Sequence, residues 1–140
     1  MSTSTFDLRA DASANSVVPA IGRLLIAAIF LLSGVGKIFA PDGTQAYIAA
    51  AGLPLPVVSY AIALVVEIGG GLLLLLGYRT RLAALGLAIF TLIAAVGFHH
   101  NFADQNQMIH FLKNLAIAGG LLQIVTFGAG GFSLDARAGR

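Results

Sequence analysis

Four runs of apolar residues, each long enough to cross a bilayer, dominate the chain. The first spans about Val18 to Phe39, the second about Leu55 to Gly77, the third Leu82 to Phe98 and the fourth Met108 to Phe127. A hydrocarbon core of about 30 Å needs about 20 helical residues. In lipid, a helix is the single-segment structure that satisfies its own backbone N–H and C=O groups. The alternating strands of about ten residues that build a membrane β-barrel do not occur. The pattern therefore predicts an all-α integral membrane four-helix bundle, and its short links predict up-down-up-down topology.

The polar stretches divide the rest. Residues 1–16 read as a flexible cytoplasmic tail, residues 17–136 as the four-helix domain and residues 137–140 as a C-terminal tail. The first stretch is not a signal peptide: it lacks a basic n-region, and the apolar run after it is too long and carries Arg23. Residues 40–54 have room for a brief interfacial helix around Thr44–Ala51, residues 78–81 form a tight turn, and residues 99–107 form a polar loop. An even number of spans puts both termini and the 78–81 turn on one side. That side collects Arg9, Arg23, Arg79, Arg81, Arg137 and Arg140, against Lys37 and Lys113 on the other. The bias of basic residues toward the cytoplasm then predicts cytoplasmic termini.

Composition sharpens the membrane reading. Of the 140 residues, 58% are hydrophobic and 10% charged, where a soluble domain carries about a quarter charged residues. The formal net charge of +2 comes without a Lys/Arg run, so nucleic acid is not an expected partner. Cysteine is absent, which excludes disulfides, thiolate metal sites and iron–sulfur clusters within the chain. Any redox role then takes its electrons from a bound cofactor, a substrate or a partner.

Against this apolar background the ionisable residues stand out. Glu67 lies about 18 Å along the second span, near the bilayer midplane. A carboxylate there must be paired, protonated or beside water, so it is either a proton-handling or ligand-anchoring group or half of a structural ion pair. Its expected partner is Arg23, which can instead snorkel to the headgroups. Arg23 and Lys37 are fourteen residues apart, close to four turns, and share a face. His110, Lys113 and Asn114 share a face of the fourth span, and His99 and His100 end the third. With Lys37 these groups can line a polar pocket above Glu67, or can be ordinary interfacial polarity. The three histidines gather at one membrane end instead of facing each other in a bundle core, so neither haem nor a metal site is expected.

The ordered set of short motifs resembles the DoxX family of membrane proteins. It comprises Arg23-Leu24 and Ser33-Gly34-x-Gly36-Lys37 in the first span, then Gly43-Thr44-Gln45-x-Tyr47 and Gly52-x-Pro54. Glu67-x-Gly69-Gly70-Gly71-Leu72 follows, then Gly77-x-x-Thr80-Arg81 and Phe98-His99-x-Asn101-Phe102. Lys113-Asn114-Leu115 with Gly119-Gly120, and Ser133-x-Asp135, complete it. The resemblance covers about residues 18–136. It implies four membrane helices, a multi-pass place in the bacterial inner (cytoplasmic) membrane, and a label of quinol oxidase or thiosulfate:quinone oxidoreductase subunit. It carries the family pattern onto Arg23, Lys37, Glu67, His99, Asn101, Lys113 and Asn114; His100 and His110 are outside that pattern.

Three functions are compatible with these residues. The first is a quinone-linked membrane oxidoreductase subunit with no covalently held cofactor. In it, Glu67 acts as the catalytic proton-handling group, while Arg23, Lys37, His99, Asn101, Lys113 and Asn114 bind the ligand. The second is a non-catalytic scaffold or assembly factor for a redox complex. The third, ranked last, is passage of a small solute or proton along the polar seam. The expected partners are the lipid bilayer, a quinone, and a redox enzyme or a second copy of the chain.

Overall fold

The computed structural model describes residues 17–140; the tail expected over 1–16 lies outside the described residues. The chain forms α1 (Val17–Phe39), α2 (Pro41–Ala50), α3 (Pro56–Leu76), α4 (Thr80–Phe98), α5 (Gln105–Phe127) and α6 (Leu134–Arg137). Helices α1, α3, α4 and α5 are long and apolar enough to cross a membrane. Large apolar side chains point outward along them: Leu32, Phe39 and Phe127 are 74%, 83% and 76% exposed. Apolar exposure on that scale belongs against lipid.

Polar caps account for the differences between these boundaries and the apolar runs. Helix α5 begins at Gln105 because the Asp104 side chain accepts from the Asn106 N–H at 2.9 Å. Helix α4 begins at Thr80 because its first N–H groups are taken by a carboxylate far along the chain, described below. Pro41 and Pro56 occupy the first positions of α2 and α3, where a missing N–H costs nothing. The expected interfacial helix is α2, three residues earlier than Thr44 because Pro41 starts it.

The contacts confirm an up-down-up-down bundle. Arg23 near the start of α1 meets the end of α3, Arg81 at the start of α4 meets the end of α5, and His99 at the end of α4 meets His110 at the start of α5. Helix α3 sits between α1 and α4, and glycines set the distance. A Cβ on Gly71 would lie 2.9 Å from Leu31 of α1, and one on Gly70 would lie 3.0 Å from Leu87 of α4. On α1, a Cβ on Gly34 would lie 2.6 Å from Ile68. These glycines are the tight-packing seam that small residues provide in membranes. Gly36, Gly69 and Gly119 face open space. The core, with Phe30 and the fully buried Leu74, Leu87 and Leu121, fills the half of the bundle nearer the C terminus.

The C-terminal segment is not a loose tail. It folds under the α3–α4 turn and is bound there from both sides. Arg23 is 3% exposed. It donates through Nη1 to the Leu74 and Leu75 carbonyls at 3.0 and 3.2 Å, and through Nη2 to the Phe132 carbonyl. Asp135 accepts at Oδ1 from the Arg79 N–H at 2.9 Å, and at Oδ2 from the Thr80 N–H at 2.8 Å and the Thr80 hydroxyl at 2.7 Å. Its own N–H donates to Gly77 O at 2.8 Å. Arg23 is thus a clasp on the last carbonyls of α3, and Asp135 is the cap of α4. Residues 137–140 stay attached, since the Arg140 N–H donates to Asp135 O at 2.9 Å.

Burial works against the charged form of Asp135, but the Thr80 hydroxyl, the two backbone N–H groups and Arg140 outweigh it and hold the carboxyl below its ordinary value. A depressed carboxyl stabilises the fold above the unfolded value of about 3.9 and loses that contribution as pH falls through the folded one. Asp135→Ala is expected to lower stability in detergent by about 2–3 kcal/mol at neutral pH. The wild-type advantage should vanish in acid, as followed by denaturant titration at a series of pH values.

Candidate functional site

The polar residues of the other half surround a cavity of about 820 Å³. Its charged centre is an ion pair between Lys37 and Glu67, with Lys37 Nζ 2.9 Å from Oε2 and 3.1 Å from Oε1. Ser33 donates to Glu67 Oε1 at 3.0 Å and accepts from Lys37 Nζ at 2.7 Å, closing a three-membered network. The Glu67 side chain is 6% exposed and that of Lys37 24%, the ammonium reaching into the cavity wall. Tyr60 donates to the Lys37 carbonyl at 2.9 Å and holds the end of α1 against α3.

The expected partner of Glu67 was Arg23; the structure pairs it with Lys37 instead. Helical side chains lean toward the N-terminus of their own helix. Lys37, near the C-terminal end of α1, therefore leans toward the midplane. Arg23, near the N-terminal end, leans away from it, onto the α3 carbonyls. Helix α3 runs the other way, so Glu67 leans toward Lys37. The same rule explains why Lys37 does not snorkel.

Glu67 lies in a π-helical turn, Val65–Gly70, within α3. One residue added to the helical ladder rotates everything beyond it by about 100°. The turn lets the N-terminal half of α3 face the cavity while Gly70 and Gly71 still meet α4 and α1. Such bulges recur at functional sites.

The structure brings five of the expected site residues to this cavity: Lys37, Glu67, His99, Lys113 and Asn114. Arg23 lies at the opposite end of the bundle. Asn101 is exposed in the 99–104 loop, where its carbonyl accepts from the Asp104 N–H. Sequence reasoning overlooked Thr91, buried in the wall on α4. It treated Tyr47, which stacks on Phe98 at 5.0 Å, and Ser33 only as parts of family motifs, although the four-residue spacing of Ser33 from Lys37 puts both on one helix face. Nothing local signals Thr91, because a threonine that donates to its own helix, here to Leu87 O, looks the same on any wall.

At the mouth, the His99 and His110 rings stack at 5.0 Å, and Lys113 Nζ lies 3.1 Å from His110 Nδ1. Burial, then the neighbouring His110 and, more weakly, Lys113, hold His99 below the ordinary imidazole value, with Gln107 opposing them. That direction favours the neutral imidazole. Among the described residues no three His, Asp or Glu side chains converge as metal ligands.

Removing one member of the ion pair leaves the other charge buried. Glu67→Gln and Lys37→Met are each expected to destabilise by about 2–4 kcal/mol, and the double variant by less than their sum. A double-mutant cycle read by unfolding in mixed detergent measures the coupling.

Comparison with known proteins places this geometry. Residues 18–100 match the DoxX family. The inner membrane protein YqjF of Escherichia coli is 42% identical over 118 residues, covering 82% of this chain and 87% of its own. The inner membrane protein YphA of the same organism is 37% identical over 130 residues, covering 89% and 93%. No solved structure matches. With a family match over more than half its length and two relatives alike along most of theirs, the chain belongs to the DoxX family.

Proposed function

We propose that this multi-pass inner-membrane protein is the quinone-binding subunit of a membrane oxidoreductase. The observation that carries the reading is the cavity: apolar walls that reach lipid-exposed Ile29, Ile62 and Ile93, closing on a polar end formed by Lys37, Glu67, His99, Lys113 and Asn114. An isoprenoid-tailed ring fits such a site, with its tail toward the lipid and its oxygens toward the polar groups. Oxidation of a quinol releases two electrons and two protons. Lys113, Asn114 and His99 hold the headgroup oxygens; Glu67, kept in place by Lys37 and Ser33, accepts one proton, and the His99 imidazole accepts the other and passes it to water at the mouth. The electrons pass to a redox centre on a partner subunit.

The wild-type protein in nanodiscs is expected to bind a short-chain benzoquinol, whose hydroxyl can donate to Glu67, with Asn114→Leu and Glu67→Gln each weakening it about tenfold, the equivalent of one hydrogen bond to a charged or strongly polar group. Anaerobic titration with the quinol followed by native mass spectrometry reads this. If neither wild type nor variants bind, and Glu67→Gln only lowers stability, the scaffold reading replaces this one.

The excess of arginine at the end that carries the α3–α4 turn and the C terminus supports a cytoplasmic position for that end. A reporter active only outside the cytoplasm should be active when fused after Asp104 and silent when fused after Arg140.

A further inference from the structure

The cavity is polar and open toward one end of the bundle, while the other half is apolar and tightly packed. Gly43, Tyr47 and Lys113 line it and are exposed, which puts a mouth at the end carrying α2 and the 99–104 loop. In the other direction Leu74, Leu87 and Leu121, each 0% exposed, close with Phe30 across the bundle. Beyond them the Arg23 clasp and the Asp135 cap tie the chain shut.

Between mouth and plug, each of α1 to α5 or the residue that ends it contributes a protonatable or polar group. Helix α1 supplies Lys37 and α2 supplies Tyr47. Helix α3 supplies Glu67 and His99 directly follows α4, both on the cavity wall. Helix α5 supplies Lys113 there, with His110 beside it in contact with both His99 and Lys113. Tyr60 turns to the Lys37 carbonyl, and the His100 ring to Val96 O on its own helix. Among the described residues His99 Nδ1 is buried without a hydrogen-bond partner. The polar end of the cavity has the room and the hydrogen-bonding partners to hold water.

We propose that the cavity is a proton half-channel: water and protons reach the Lys37–Glu67 pair from the loop end, past His99 and His110, and not from the end that carries the C terminus. This concerns the route rather than the occupant, so it holds whether or not a quinone binds. Whatever protons the site takes up or releases are exchanged with one side of the membrane.

The absence of cysteine makes single-cysteine variants clean probes. Ser33→Cys puts a thiol at the ion pair, and Asn114→Cys puts one on the facing wall should the first fail to fold. Asn101→Cys and Arg140→Cys report the two membrane sides. Each is reconstituted in liposomes and exposed, from one side at a time, to a charged membrane-impermeant methanethiosulfonate.

The Ser33→Cys and Asn114→Cys thiols are expected to react from the side that labels Asn101→Cys and not from the side that labels Arg140→Cys. Because the thiolate is the reacting form, the rate should rise about tenfold per pH unit on the loop side below the thiol's own ionisation point, and ignore pH on the other. Adding His99→Trp should slow the reaction more than tenfold while leaving Asn101→Cys unchanged. Labelling of both cavity thiols from both sides, labelling from the Arg140→Cys side alone, or none where Asn101→Cys reacts, overturns the half-channel. None of these outcomes alters the quinol titration, so the two proposals fail separately.

Discussion

A carboxyl group at the middle of a bilayer has to be paired, protonated or beside water, and lipid supplies no counter-charge. In this bundle Lys37 supplies that counter-charge, and much of the half nearer the 99–104 loop is arranged around the pair. Ser33 bridges the two charges, Tyr60 fixes the turn from which Lys37 reaches, and Gly34 lets α3 approach closely enough for a 2.9 Å contact. The π-turn carrying Glu67 is part of the same solution, since it faces the carboxylate inward without giving up the glycine contacts of the next turn.

The two ends of the molecule solve the same problem differently. At the C-terminal end, Arg23 and Asp135 satisfy backbone groups at a helix C-terminus and a helix N-terminus, the positions where a positive and a negative side chain each stabilise the exposed ends of the ladder. These bonds knit the chain into a closed apolar plug. At the loop end, the polar groups are spread around a void. The result is a bundle that is structural at one end and chemically equipped at the other, so two family-pattern arginine and lysine residues on one helix face have unlike roles.

This division bears on how the family's redox label should be read in this chain. Lys37 and Glu67 largely satisfy each other, so under the proposed function they would supply a positioned proton acceptor more readily than a free cation. Lys113 and Asn114, from the opposite wall, are the groups with capacity to spare. Ligand recognition would therefore come from α5, and proton handling from α1 and α3.

The sequence by itself determined the number of spans, their approximate limits, the bundle topology and the residues worth watching. All of these follow from hydropathy over about 20 residues and from the cost of burying charge. It pointed to Glu67, Lys37, His99, Lys113 and Asn114 because an ionisable or amide group beside lipid is conspicuous wherever it falls. The tertiary structure alone decided which charge answers Glu67, because that depends on the lean of side chains along antiparallel helices and not on spacing within one. It alone placed Asp135 on the first turn of α4, a contact across 55 residues with no local signature. And it alone separated Arg23 from the cavity: the sequence puts Arg23 and Lys37 at opposite ends of one helix face, but only the packing of the bundle decides which end is sealed and which is open.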